Sequence, residues 1–176
     1  MNVPNCLSVF RIILIPAFAW TYLTAQDQNM YVISALILIL SGITDVLDGI
    51  IARKYHQITD LGKILDPLAD KLTQATVCLI LWVRIPQLWP MFVLFILKEI
   101  LIMIGSFRIL KKDKRLEGSK WFGKLYTVVF YIAMILIIML PDLSVNIIFV
   151  LLLVVAAFML LSLFMYISVF NKKMKK

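Results

Sequence analysis

Residues 45–70 read DVLDGIIARKYHQITDLGKILDPLAD, and the reading of this stretch decides the fold. Four of its aspartates, Asp45, Asp48, Asp66 and Asp70, stand among segments apolar enough to cross a membrane. A carboxylate is costly at membrane depth unless something pairs with it, so an intramembrane acid points to function. Asp45 and Asp48 are three apart and share one helix face, with Gly49 and Ala52 on or beside it. Asp66 and Asp70 are four apart and share a face in turn. Two helices that each present two carboxylates across a short polar turn make an all-oxygen cage suited to a pair of Mg²⁺ or Mn²⁺ ions. The lack of a His and Cys pattern argues against zinc.

Placement along the helices sharpens the contrast between the two pairs. Asp45 and Asp48 fall in the last turns of their helix, where the dipole disfavours a negative charge, so stability alone does not choose them. Asp66 followed by Pro67 has the form of an N-cap and first helical residue. Capping and the dipole therefore offer a plain structural explanation for Asp66 and Asp70, though not for the first pair.

Working outward, the chain of 176 residues is 62% hydrophobic, with a mean hydropathy of +0.97. That lies far outside soluble-domain usage and marks an integral membrane protein. One helical membrane domain over residues 1–176 is expected, all-α and polytopic, with six transmembrane helices. These run from about Leu7 to Thr24, Met30 to Lys54, Pro67 to Val83, Met91 to Leu110, Trp121 to Leu140 and Val145 to Phe170, with a frayed basic tail. The first apolar run lacks a basic segment before it, so it reads as a span and not as a signal peptide. Cys6 and Cys78 read as small apolar fillers, and His56 as a solvated loop residue.

The net charge of +8 does not point to nucleic acid, because no soluble binding module accompanies it. Its distribution is informative. Arg53, Lys54, Lys63, the cluster from Arg108 to Lys120 and the tail fall on one side, and little beyond Arg84, Asp27 and Asp142 falls on the other. By the positive-inside rule both termini and the aspartates face the cytoplasm. Arg11 either snorkels to that surface or faces the site and holds phosphate. Lys98 and Glu99, adjacent in mid-helix, point about 100° apart and are not expected simply to pair with each other. They are either satisfied within the bundle or part of a polar site.

The stretch also has the form D-x-x-D-G-x-x-A-R-x8-G-x3-D-x3-D, filled by Asp45, Asp48, Gly49, Ala52, Arg53, Gly62, Asp66 and Asp70. It resembles the signature of the CDP-alcohol phosphatidyltransferases, with every fixed position present. The resemblance implies a six-helix bundle, a homodimer, and attack by an alcohol on the lipid-bearing phosphorus of CDP-diacylglycerol with release of CMP. It implies that Asp45, Asp48 and Asp66 ligate two metal ions, that Asp70 is the general base and also touches a metal, and that Gly49, Ala52, Arg53 and Gly62 hold the CDP portion. Read from the residues alone, Gly49 and Ala52 serve close helix packing equally well.

TDVLDGIIARK and GKILDPLADK are most similar to the branch of that family that uses glycerol 3-phosphate, with Arg11, Lys63, Lys71, Lys98 and Lys124 as candidates for binding the acceptor or its phosphate. Two departures stand out: Lys98-Glu99 where the branch has Arg-Glu, and Gly123-Lys124-Leu125-Tyr126-Thr127 where it has G-K-x-K-T. Inositol phosphate, serine or phosphatidylglycerol are the alternative acceptors. An intramembrane prenyltransferase would place its two aspartate motifs far apart in the chain, whereas these four carboxylates fall within 26 residues. A cation transporter has no use for Gly49, Ala52 and Arg53 at fixed places.

Overall fold

Backbone polar groups cannot be left unpaired in hydrocarbon, so a chain this apolar resolves into helices. The computed structural model describes residues 2–55, 59, 61–110 and 121–175, with the side chains at 53, 63, 109–110 and 172–175 excepted. Among these residues there is no strand. The order is α1 (Val3–Leu23), α2 (Gln28–Lys54), α3 (Gly62–Arg84), a 3₁₀ turn (Pro86–Leu88), α4 (Trp89–Leu110), α5 (Trp121–Met139) and α6 (Val145–Lys175). At 1.5 Å per residue the 21 residues of α1 extend roughly 32 Å, enough for a hydrocarbon core of about 30 Å.

Among the described residues five stretches are long and apolar enough to cross a membrane: Val3–Leu23, Gln28–Ala52, Pro86–Arg108, Trp121–Met139 and Val145–Asn171. The chain is an integral membrane protein. Helix α3 is not among the five, because its first turns carry Asp66, Asp70 and Lys71.

Two compact units are present, one formed by Met1–Pro86 with Met134–Asp142 and the other by Gln87–Ala133 with Leu143–Lys176. In the first, α1 lies against both α2 and α3. Its buried stripe runs Pro4, Asn5, Ser8, Arg11, Phe18 and Tyr22, at helical spacing. On α2 the buried face carries Ser34, Ala35, Leu38, Ser41, Thr44 and Asp48, while Leu36, Leu40, Ile43, Leu47 and Ile50 point outward. Polar groups inside and large aliphatics outside are what a hydrocarbon surround selects. At the opposite end of α1 from Ser8, the Arg84 guanidinium donates to the carbonyls of Ala25 (2.9 Å) and Tyr22 (3.3 Å) and lies over the Tyr22 and Tyr31 rings. It thereby satisfies carbonyls that the end of a helix leaves without partners.

In the second unit α4 packs on α6. The two helices come close at Gly105, where a Cβ would stand 2.3 Å from the Phe170 ring. Phe122 and Tyr166 meet edge to face at 4.8 Å. Lys98 is 2% exposed and its Nζ sits 3.8 Å from the Tyr126 ring centroid. Contrary to the expectation from helix geometry, Lys98 does pair with Glu99, at 2.7 Å. The backbone turns the two Cβ atoms apart, but the long lysine stem bends back across that angle.

Three further expectations are corrected. Helix α6 runs on to Lys175, so the basic tail is not frayed from Phe170 onward. Cys78 is buried but Cys6 is exposed, so only the former fills a core position. Most consequentially, α3 begins at Gly62 and not at Pro67. The Thr59 hydroxyl accepts the Gly62 N–H (3.0 Å) and donates to Asn5 Oδ1 (3.0 Å), which fixes the start of α3 against α1. Pro67 then falls inside the helix, where it removes one backbone bond near the end. His56 and most of the basic cluster from Arg108 to Lys120 lie outside the described residues.

Candidate active site

Because α3 starts five residues early, Asp66 is no N-cap and Asp70 is not in a first turn. The plain structural explanation for the second pair is thereby removed. All four aspartates instead project from within helices; Asp45, Asp48 and Asp66 meet side chains of α1, and Asp70 meets Gln74 and Lys71 of its own helix.

From α1, Arg11 reaches across to α2. Its Nη1 donates to Asp45 Oδ1 and its Nη2 to Asp48 Oδ2, a fork that joins the two carboxylates of the first pair. The Arg11 side chain is 0% exposed and that of Asp48 2%, whereas Asp45 is 37% exposed and opens one edge of the cluster. Arg11 Nε, equally enclosed, has no hydrogen-bond partner among the described residues. An enclosed donor left unmade costs about 1–3 kcal/mol, so its retention calls for a reason.

One turn earlier on α1, Ser8 Oγ lies 2.5 Å from Asp66 Oδ1, 3.4 Å from Asp48 Oδ2 and 3.2 Å from the Pro4 carbonyl. Its single proton serves one acceptor at a time, and Asp66 is nearest. Ser8 therefore links α2 to α3 as Arg11 links the members of the α2 pair. Asp66 and Asp70 also lie near enough to Asp45 for their charges to act on it. Asp70 itself accepts from Gln74 Nε2 at 2.9 Å and has Lys71 Nζ at 3.8 Å.

Three helices thus converge on one enclosed, acid-rich centre, and among the described side chains Arg11 and Lys71 alone do not balance its four carboxylates. As they stand, no three acidic, histidine or cysteine side chains among the described residues are grouped to hold a single metal ion. The donor chemistry nonetheless suits a hard divalent cation, being carboxylate oxygens with a hydroxyl beside them. Arg11 holds the cationic role between Asp45 and Asp48.

The sequence profile of the CDP-alcohol phosphatidyltransferases matches residues 1–170. The chain belongs to that family. Family members are enzymes and generally depend on a divalent metal. Among curated relatives, a Wigglesworthia glossinidia brevipalpis protein named CDP-diacylglycerol–glycerol-3-phosphate 3-phosphatidyltransferase is 37% identical over 58% of this chain. A Streptomyces coelicolor cardiolipin synthase (CMP-forming) is 37% identical over 61% of it. These matches span about half the length of either relative, 57% and 52%. A Salmonella paratyphi A protein with the same name as the first is 33% identical over 95% of this chain and 93% of its own length.

The remaining motif positions of this family member fall as follows. Gly49 and Ala52 are half-buried on α2, near Asp48. Gly62 opens α3, and a Cβ there would stand 2.7 Å from Asn5 Oδ1, so the backbone passes close to α1 at this point. Arg53 and Lys63 belong to those residues whose side chains lie outside the description. Lys71 flanks Asp70, while Lys98 and Lys124 lie in the second unit. Sequence reasoning overlooked Ser8 and Asn5. The signal was there: Asn5, Ser8 and Arg11 recur every three residues and make one polar stripe on an otherwise apolar helix.

Proposed function

We propose that this chain transfers the phosphatidyl group of CDP-diacylglycerol to glycerol 3-phosphate, giving phosphatidylglycerol phosphate and CMP in phospholipid synthesis. The observation that carries it is the convergence of Ser8 and Arg11 with Asp45, Asp48 and Asp66 at one enclosed centre of a family member. The acceptor is chosen because relatives matched over nearly their whole length bear that substrate in their names.

In this reading Asp45, Asp48, Asp66 and Asp70 hold two Mg²⁺ or Mn²⁺ ions. When bound, such ions neutralise the diphosphate and stabilise charge on the transferring group. The chain's own groups do the rest. Asp70, steadied by Gln74, takes the proton of the acceptor hydroxyl as its oxygen bonds to the lipid-bearing phosphorus. The bond from that phosphorus to the CMP oxygen breaks, and CMP leaves with the electron pair. Gly49, Ala52, Arg53 and Gly62 hold the CDP portion, and Arg11, Lys63 and Lys71 supply cationic donors for the acceptor's phosphate.

The whole chain acts as one membrane domain with six spans, α3 included, in a homodimer. Both termini and the site face the cytoplasm, the side to which the basic residues point.

The Streptomyces relative favours a second reading, in which the acceptor is phosphatidylglycerol and the product cardiolipin. An acceptor screen separates them. Purified protein with Mg²⁺ and CDP-diacylglycerol is offered glycerol 3-phosphate, inositol phosphate, serine or phosphatidylglycerol in parallel, and products are identified by mass. Phosphatidylglycerol phosphate as the dominant product supports the first reading. A product with any other acceptor, and none with glycerol 3-phosphate, overturns it.

A further inference from the structure

The Arg11 bridge does more than neutralise a pair of acids. The guanidinium is wholly enclosed, and it gives one Nη to Asp45 and the other to Asp48. Those are the same two carboxylates that the proposed reading assigns to divalent cations. Its third nitrogen, Nε, donates to no acceptor among the described residues. The bridge is therefore not the position that satisfies Arg11 best, and the forked side chain retains a donor for another acceptor.

A carboxylate held by a short charge-assisted bond to arginine is not free to ligate a cation with the same oxygen. Two like charges three residues apart on one helix face repel each other, and a cation placed between them offsets that repulsion. Either the guanidinium or a divalent cation can take that place.

We propose that Arg11 and a divalent cation compete for Asp45 and Asp48: the guanidinium is the built-in counter-ion that holds the pair in place, and it must give up Asp45 Oδ1 or Asp48 Oδ2 before a cation can take that oxygen. Arg11 thus lowers metal affinity and prevents collapse of the acid cluster when metal is scarce. This rests on the reading of Asp45 and Asp48 as metal ligands. Affinity for metal is reduced by the fraction of molecules in which the bridge is open, so removing the bridge raises it.

The test is Mn²⁺ binding to the full-length purified chain, followed by titration calorimetry with no substrate present. Arg11→Met removes the charge, and Arg11→Lys keeps one ammonium that cannot fork across two carboxylates. Arg11→Met is expected to bind Mn²⁺ about tenfold or more tightly than the unaltered chain, with Arg11→Lys between the two. Without metal the Met variant melts at a lower temperature, and saturating Mn²⁺ raises its melting temperature by more than it raises that of the unaltered chain. Unchanged or weaker binding in both variants overturns the competition and leaves Arg11 as scaffold, with the metal reading intact. Absence of Mn²⁺ binding in the unaltered chain and both variants overturns the metal reading as well, and the proposal with it.

Discussion

Arg11 on α1 and Asp48 on α2, 37 positions apart in sequence, form an ion pair in which the two side chains are 0% and 2% exposed. Removing one member of such a pair leaves the other charge enclosed without a partner, which costs about 3–5 kcal/mol. Asp45 remains to take part of the Arg11 charge, so Asp48→Ala is expected to cost about 3 kcal/mol. A fall of several degrees in melting temperature in detergent would show it. A melting temperature unchanged within a degree would mean that the pair does not hold α1 to α2.

Ser8 is the smallest side chain that meets the aspartates, and its contribution is separable. Ser8→Ala deletes the hydroxyl that meets Asp66 at 2.5 Å and leaves the apolar packing almost untouched. Groups that orient metal-binding side chains typically account for about 10–100-fold in affinity or activity. A loss in that range is expected for turnover at fixed low Mg²⁺, partly recovered as Mg²⁺ is raised. Turnover equal to that of the unaltered chain at every Mg²⁺ concentration would remove Ser8 from the site.

The start of α3 makes a steric prediction. A methyl at position 62 would stand 2.7 Å from Asn5 Oδ1 and 3.1 Å from Thr59 Oγ1, both in the contact that seats α3 on α1. Gly62→Ala should therefore lower the melting temperature, by an amount corresponding to about 1–3 kcal/mol. Asn5→Ala alone should also destabilise, since it removes the acceptor for Thr59. Together the two changes should cost less than their sum, as coupled neighbours do. Strict additivity in thermal melts would refute the contact.

These predictions draw unequally on what could be read in the chain before its structure. The four aspartates were legible because acids are rare at membrane depth and their spacing is helical. The helix count was legible because apolar runs alternate with polar breaks. Arg11 stayed open between snorkelling and the site, since its partners are 34 and 37 residues away and only packing brings them near. The start of α3 was misplaced because Asp66-Pro67 carries a strong local capping signal. The hydrogen bond that Thr59 donates to Asn5 and the one it accepts from the Gly62 N–H outweigh it, and the first of them is tertiary. The Lys98–Glu99 pair was missed because helix rotation describes Cβ directions and not the reach of long side chains.

The central claim is that the second aspartate of α3 takes the proton from the acceptor in a phosphatidyl transfer, and Asp70→Asn tests it most directly. Binding of CDP-diacylglycerol and release of CMP in the presence of glycerol 3-phosphate and Mg²⁺ are measured on the same preparation. The account predicts CMP release lowered about 10²–10⁴-fold, with affinity for the CDP-lipid within about threefold of the unaltered chain. Near-normal CMP release from Asp70→Asn would contradict it.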